Sequence, residues 1–267
     1  MRLKFLGTGA GFSVGLGNTS AIVYDKEPKN GFTMIDCGEH ARSKLVELGI
    51  VDNLKNVLIT HIHGDHYFGI ELLAFYWFFV KKEKLNVYLP STTIKDELIK
   101  SLSSSLCKVQ NENGDPIEKT VEDFLNIQVI DSVTIDKTIY RFFKVPHVPN
   151  KECYGVQIMT ESGVSIYTSD INRPIWDIND DQTSFIYRGL KNYNYIFHDA
   201  QLYDGKAGAV HAFIGDLKND ILSQKVSKEN SNKLILMHYG KPQTDDEKAK
   251  AKEWCGGFAI PEQEFDI

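Results

Sequence analysis

The stretch Thr60-His61-Ile62-His63-Gly64-Asp65-His66 crowds three imidazoles and one carboxylate into six residues. It follows the apolar run Asn56–Ile59, which reads as a buried strand. Side chains two apart on a strand share a face, so His61 and His63 point the same way. Asp65 and His66 then reach in from the following turn. Imidazole nitrogen and carboxylate oxygen are the ligands that zinc and similar divalent ions favour. The spacing therefore predicts a metal site.

Working outward, the chain has only 8 histidines, and most fall at comparable places. His147 sits in Val145-Pro146-His147-Val148-Pro149, after a strand. His198 follows Tyr195–Phe197, and His211 lies in the loop beyond it. His238 follows the apolar strand Leu234–Met237. Only His40 lies outside this strand-end pattern. Asp170, at the end of Ser165–Ser169, offers a carboxylate that can bridge two ions.

Composition bounds the rest. A chain of 267 residues with 42% hydrophobic and 25% charged residues is a globular protein, not a disordered or collagenous one. A net charge of −6 argues against a broad nucleic-acid-binding surface. The 4 cysteines, Cys37, Cys107, Cys153 and Cys255, have no CxxC spacing and suit a reducing compartment. Met1–Phe5 runs into a glycine turn without the apolar segment of a signal peptide. Leu72–Val80 is too short to span a bilayer. A cytoplasmic protein is expected.

The pattern of elements suggests an α/β fold in one domain over residues 1–267. Strands are expected at Leu3–Leu6, Ser20–Tyr24, Phe32–Ile35, Asn56–Ile59 and Val87–Leu89. A second run covers Ile127–Ile130, Ser132–Ile135, Thr138–Val145, Tyr154–Thr160 and Gly163–Thr168, with Tyr195–Phe197 and Leu234–Met237 later. Helices are expected at His40–Leu48, Phe68–Lys82, Ser91–Leu106, Gln182–Lys191, Ile214–Val226 and Asp245–Trp254, with a loop at Lys108–Glu118. Strand-rich halves each followed by helices point to two sheets with helices outside. The Phe68–Lys82 helix carries apolar residues on more than one face: Ile70, Leu73, Trp77 and Val80, then Leu72, Phe75, Tyr76 and Phe79. That excess suggests either deep burial or a homodimer interface.

His61-Ile62-His63-Gly64-Asp65-His66 resembles the HxHxDH signature of the metallo-β-lactamase superfamily. Asp36 in Met34-Ile35-Asp36-Cys37-Gly38 is similar to its first motif, His147 to its third, Asp170 to its fourth and His238 to its fifth. The resemblance spans nearly the whole chain and implies an αββα sandwich of two mixed sheets, with a metal site at one rim. Phe5-Leu6-Gly7-Thr8-Gly9-Ala10-Gly11 and Ser169-Asp170-Ile171-Asn172-Arg173-Pro174 resemble motifs of the tRNase Z-like phosphodiesterases. His198-Asp199-Ala200-Gln201 looks like their HEAT motif with Asp in place of Glu, and His211 stands where they have the histidine paired with that acid.

The resemblance implies two divalent ions, Zn²⁺ first and Mn²⁺ as an alternative. One falls to His61, His63 and His147, the other to Asp65, His66 and His238, with Asp170 between. A two-metal-activated hydroxide would attack phosphorus without a protein nucleophile. His211, Asp199 and Asp65 are the catalytic candidates, with His211 protonating the leaving oxygen and Asp199 orienting it. Asp36 and His198 are expected behind the ligands. The Gly7–Gly11 stretch reads as a tight turn beside the site in preference to a phosphate cradle, since no helix clearly starts after it.

The tRNase Z family carries a basic, glycine- and proline-rich arm beyond the HxHxDH helix. Here that position holds Val80–Leu89, with only Lys81, Lys82 and Lys84 clustered. The missing arm points to the armless relatives that hydrolyse 3′,5′-cyclic mononucleotides, the anti-Pycsar enzymes among them. A cyclic nucleotide such as cCMP or cUMP is thus the expected substrate. Precursor tRNA is the alternative, and RNA is a partner only in that case; a metal-stabilised binding protein is the third reading. No membrane partner is expected.

Overall fold

In β1 (Arg2–Gly7) neighbouring side chains part company. Leu3 and Phe5 turn to a core shared by two sheets, while Leu6 faces a second core beneath helices. The alternation continues in β2 (Ser20–Tyr24), with Ala21 and Val23 on one face and Ile22 and Tyr24 on the other. A strand buried on both faces must lie between two apolar layers, and that sets the architecture. The structure is a computed structural model and describes residues 1–13, 15–111, 113–178, 190–202 and 210–267.

The first sheet adds β3 (Phe32–Ile35), β4 (Leu54–Leu58), β5 (Leu85–Leu89), β8 (Leu125–Val129) and β16 (Glu264–Asp266), in the order β16-β1-β2-β3-β4-β5-β8. The second holds β9 (Ser132–Ile135), β10 (Thr138–Lys144), β11 (Tyr154–Thr160), β12 (Gly163–Tyr167), β13 (Tyr193–Asp199), β14 (Leu234–Met237) and β15 (Gly257–Phe258), in the order β15-β14-β13-β12-β11-β10-β9. Each sheet is antiparallel through its first four strands, counted from β16 or from β9, and parallel through the rest. The same pairing pattern thus occurs twice. It leaves the carboxyl ends of parallel strands from both sheets at one rim, where ligands are ordinarily found in such sheets.

Helices cover the outer faces. On the first sheet lie α1 (Glu39–Glu47), α2 (Gly64–Tyr67), α3 (Ile70–Phe75), α4 (Thr92–Leu106) and α5 (Val121–Phe124). On the second lie α6 (Ile214–Leu222), α7 (Lys228–Ser231) and α8 (Asp245–Lys252). In α4 the Ser91 side chain accepts from the Ile94 amide and caps the helix. Ile94, Leu98, Leu102 and Leu106 then recur every four residues and are buried. Each such side chain contributes roughly 1.5–3 kcal/mol on burial. The result is the αββα sandwich of two mixed sheets flanked by helices. Among the described residues, no helix is long and apolar enough to cross a membrane.

Several elements differ from expectation. The Phe68–Lys82 helix is broken: α3 gives way to a π-helical segment, Tyr76–Lys81, that ends at Lys82 with φ 58°. Ile70, Leu73, Ala74 and Trp77 are buried and Phe75, Tyr76 and Phe78 are partly buried against the first sheet's core, whereas Leu72, Phe79 and Val80 are exposed. The wider turn departs from the 3.6-residue spacing on which the expected faces rested, so Val80 leaves the face of Ile70 and Leu73. Lys108–Glu118 is a hairpin, β6 (Lys108–Gln110) with β7 (Pro116–Glu118), its connection held by Asn111 Oδ1 accepting from the Asn113 and Asp115 amides. The helices expected to reach Val226 and Trp254 end at Leu222 and Lys252. Of the helix expected at Gln182–Lys191, residues 182–189 lie outside the described residues, and Leu190–Asn192 is a 3₁₀ turn.

Candidate metal centre

Six strands deliver the polar residues of the rim. Asp36 follows β3, His61 to His66 follow β4, His147 follows β10, Asp170 follows β12, Asp199 ends β13 and His238 follows β14. Asp36, Ser169 and His238 have φ values of 58°, 54° and 60°. Side chains rarely adopt this left-handed backbone, and here it turns the chain sharply at each strand end. The turn at His238 is held from the other sheet, because its amide donates to the Thr8 carbonyl at 2.9 Å.

Two ligand sets form around Asp170. In the first, His63 Nδ1 lies 3.0 Å from His61 Nε2 and 3.1 Å from His147 Nε2. Asp170 Oδ2 lies 3.7 Å from His61 Nε2 and 3.6 Å from His147 Nε2. In the second, Asp170 Oδ1 lies 3.2 Å from His66 Nε2 and 3.4 Å from His238 Nδ1. Asp65 Oδ2 is 3.6 Å from His66 Nε2, and with one nitrogen of His238 these ligand atoms all lie within 4.8 Å of one another. Ligand atoms about 2.0–2.1 Å from a tetrahedral zinc are roughly 3.3 Å apart, so these separations suit an ion in each set.

The atoms behind the ligands set their tautomers. His66 Nδ1 donates to Asp36 Oδ2 at 2.8 Å and His147 Nδ1 donates to the Val210 carbonyl at 2.6 Å. His61 Nδ1 is 3.2 Å from Thr60 Oγ1. Each leaves Nε2 for the cluster. Asp36 is itself fixed, accepting from the Thr60 amide and hydroxyl at 2.9 Å. Thr60 Oγ1 also meets Ser169 Oγ at 2.7 Å, joining the two sheets directly behind the site.

The residues present fit a bound cation. His66 Nε2, Asp170 Oδ1 and His238 Nδ1 are buried without hydrogen-bond partners, and all three face the second ligand set. Leaving such atoms unmatched is costly unless something accepts their lone pairs. Burial drives His61 well below the ordinary imidazole range and takes His63 and His238 to about 4, so these rings are neutral and able to ligate. His66 is the exception. Burial opposes its charge, but Asp170, Asp36 and Asp65 hold it well above the ordinary value, which marks the spot where negative charge accumulates. Burial likewise opposes ionisation of Asp170, yet His238 and His66 keep its carboxyl well below the usual range.

Beside the two sets stands a separate pair. His211 Nδ1 donates to Asp199 Oδ2 at 2.8 Å, and the same oxygen accepts from the Ile171 amide at 3.0 Å. His211 lies 5.2 Å from His147 and 5.0 Å from His238, ring centre to ring centre. Burial works against its charge, but Asp199 lifts its pKa to about 9. A cavity of about 760 Å³ opens over the cluster, and His63, Asp65, His147, Asp170, His211 and His238 line its floor.

The structure thus brings together His61, His63, Asp65, His66, His147, Asp170, His211, His238, Asp199 and Asp36. His198 is not among them. Its Nδ1 donates to the Asp199 carbonyl at 2.6 Å and its Nε2 accepts from the Ile175 amide at 2.9 Å. Burial keeps it neutral, with a pKa lowered to about 4. Both nitrogens serve backbone, so His198 braces β13 against the segment after Asp170 and touches no ligand. Gly7–Gly11 is a turn: the Thr8, Gly9 and Ala10 amides donate to the carbonyls of Leu16, Gly17 and Tyr239. Sequence reasoning missed Thr60, Ser169 and the Val210 carbonyl. Thr60 and Ser169 adjoin recognised ligands, but only the meeting of the two sheets gives them a role.

A family model for the anti-Pycsar protein Apyc1 matches residues 1–260. The chain belongs to the anti-Pycsar Apyc1 family. The Apyc1 protein of Bacillus phage 010DV004 is 29% identical over 252 residues, covering 90% of this chain and 89% of that protein. Two solved structures share the fold of this Apyc1-family chain. The metallo-β-lactamase fold protein YhfI from Bacillus subtilis superposes with a TM-score of 0.70 at 19% identity, covering 99% of this chain and 98% of that one. Human tRNase Z, short form, superposes with a TM-score of 0.63 at 16% identity, covering 100% and 99%. The Apyc1-family chain is therefore a metallo-β-lactamase-fold protein with a candidate metal site.

Proposed function

We propose that this chain is a metal-dependent phosphodiesterase that hydrolyses 3′,5′-cyclic mononucleotides. The observation that carries the reading is the His211–Asp199 pair standing beside Asp170, the carboxylate shared by both ligand sets. A site that only stored metal would need no such proton donor. Membership of the anti-Pycsar family supports the reading.

His61, His63, His147 and Asp170 would hold one divalent ion, and Asp65, His66, His238 and Asp170 the other. When bound, such a pair of ions acidifies water toward a pKa of about 7 and stabilises charge on the phosphoryl oxygens. The chain's own residues do the rest. Asp36, Thr60 and the Val210 carbonyl orient the ligand rings. His211, with Nδ1 committed to Asp199, turns Nε2 toward the cavity and holds a proton there. Water would lose one proton to solvent as its oxygen bonds to phosphorus, the ester P–O bond would break, the His211 proton would go to the leaving alkoxide, and His211 would regain a proton from solvent. The product is a linear nucleoside monophosphate. In an anti-Pycsar setting this reaction would remove a cyclic nucleotide signal.

A small substrate is favoured over RNA because the Val80–Leu89 stretch beyond the HxHxDH helix clusters only Lys81, Lys82 and Lys84, whereas tight RNA binding draws on many cations. The deciding experiment incubates the purified protein with cCMP, cUMP, cAMP and a precursor tRNA, each with and without chelator. Chelator-sensitive conversion of cyclic to linear nucleotide supports the reading. Cleavage of the tRNA alone favours 3′ processing, and metal binding with no turnover favours a binding protein. We also propose that the chain forms a homodimer through the 68–82 segment, where Leu72, Phe79 and Val80 leave apolar surface exposed. A monomer in light scattering at micromolar concentration would contradict it.

A further inference from the structure

Two residues after Asp199 the chain closes a neck. The Gln201 amide donates to the Ala212 carbonyl at 2.7 Å, and the Ile214 amide donates to the Gln201 carbonyl at 2.9 Å. Gln201 and Phe213 thereby form a parallel bridge. A Cβ on Gly215 would come 2.2 Å from the Phe213 ring, so that ring lies on the first turn of α6 and holds the neck from behind. Both backbone groups of Gln201 are therefore committed, and its side chain starts from a fixed point.

Side chains two apart on extended backbone share a face. Gln201 thus projects on the side of Asp199, whose Oδ2 accepts from His211 Nδ1 at 2.8 Å. Ala200, between them, is fully buried in the core of the second sheet. Gln201 and His211 both line the cavity, with Asp170 on its floor. Gln201 is half-buried there, and its carboxamide offers an acceptor oxygen and N–H donors beside the proton donor.

A 3′,5′-cyclic mononucleotide presents two candidate leaving oxygens, and they differ in what stands next to them. O5′ sits on a methylene with no hydroxyl neighbour. O3′ sits on a carbon bonded to the one that carries the 2′-hydroxyl, a group that donates and accepts as a carboxamide does. We propose that Gln201 reads the ribose 2′-hydroxyl and thereby places O3′ at His211. The inference rests on the cyclic-mononucleotide reading above. The P–O3′ bond then breaks, water supplies the new oxygen on phosphorus and loses a proton to solvent, and O3′ takes the His211 proton. The product is the 5′-monophosphate. The base hangs from C1′, one carbon beyond the 2′-hydroxyl, so Gln201 discriminates by sugar and treats the bases alike. A site that hydrogen-bonds a substrate hydroxyl rejects the analogue lacking it, because its own polar group is left unmatched.

The test measures kcat/KM for cAMP, cCMP, their 2′-deoxy counterparts and the sugar-free diester bis(p-nitrophenyl) phosphate, and identifies the product against 3′- and 5′-monophosphate standards. The proteins are the metal-loaded wild type, Gln201→Met and Gln201→Ala; methionine keeps the length of the side chain and removes its carboxamide. The wild type prefers the ribo substrate over the deoxy one by roughly tenfold and releases the 5′-monophosphate. Gln201→Met lowers that ribo:deoxy ratio by roughly tenfold, equally for adenine and cytosine, and Gln201→Ala gives the same shift. A wild type indifferent to the 2′-hydroxyl, an unmoved ratio in both variants, equal losses on ribo, deoxy and sugar-free diesters, or a 3′-monophosphate product would overturn the assignment while leaving the substrate reading intact. A wild type that cleaves the sugar-free diester and none of the cyclic nucleotides overturns the substrate reading itself, and the assignment of Gln201 with it.

Discussion

His211 Nδ1 lies 2.8 Å from Asp199 Oδ2, and this contact leaves Nε2 as the nitrogen able to serve the cavity. Asp199 reaches it although the arm is one methylene shorter than the Glu of the resembled motif. The pair stands outside both ligand sets proper, so its loss should separate chemistry from metal binding. His211→Ala is expected to lower kcat on a cyclic nucleotide by about 10²–10⁴-fold, with metal content per chain unchanged by elemental analysis. Asp199→Asn should fall in the same direction, since it costs His211 its orienting charge. Bis(p-nitrophenyl) phosphate, whose leaving group needs no proton, should be far less affected by either change.

The pH profile follows from the same pair. Burial opposes the charge on His211, but the Asp199 carboxylate raises its pKa from 6.5 to about 9. A proton donor acts in its protonated form. With a raised pKa that form persists through neutral pH and is lost only as pH climbs through the folded value. The kcat on a cyclic nucleotide should hold through neutral pH and decline as pH passes about 9, and the decline should vanish in His211→Ala. A decline centred near 6.5 in the wild type would contradict the assignment.

Asp36 touches no ion site directly yet holds His66 Nδ1 at 2.8 Å. Residues that orient a ligand imidazole typically contribute about 10–100-fold to metal affinity. Asp36→Asn should weaken metal binding by that factor in a competition titration. An unchanged affinity would mean that Thr60 and Ser169 suffice to set the geometry.

Stability should show a separate acid limb at Glu152. Ser91 Oγ donates to its Oε2 at 2.5 Å and Lys144 Nζ to its Oε1 at 2.9 Å, tying the cap of α4 to the loop before β11. The Ser91 hydrogen bond, then Lys144, lowers the Glu152 pKa from 4.5 although burial opposes it. A lowered carboxylate pKa contributes stability above the unfolded value, and that stability fades as pH falls through the folded one. Glu152→Gln should cost about 1 kcal/mol at pH 7 and less below pH 4, as read by urea denaturation across pH.

Much of this centre was legible in the sequence because its ligands fall next to strand ends. The cluster from His61 to His66 is local, and His147, Asp170 and His238 each follow an apolar run with turn residues around it. The pairing of His211 with Asp199 was legible only through family resemblance. What the chain hid depends on contacts between distant segments. β16 closes the first sheet on β1 from the far end of the chain. The π-helical segment at Tyr76–Lys81 breaks the 3.6-residue period on which a helical wheel relies. His198 carried the right residue type at a motif position, yet two backbone hydrogen bonds absorb it.

The account stands on two cations sharing Asp170. Crystals of the metal-loaded protein, measured on both sides of the absorption edge of the bound metal, test this most directly. Two anomalous peaks are predicted, one among His61, His63 and His147 and one among Asp65, His66 and His238, with Asp170 reaching both. No peak at this rim after loading, or a single peak away from Asp170, would contradict it.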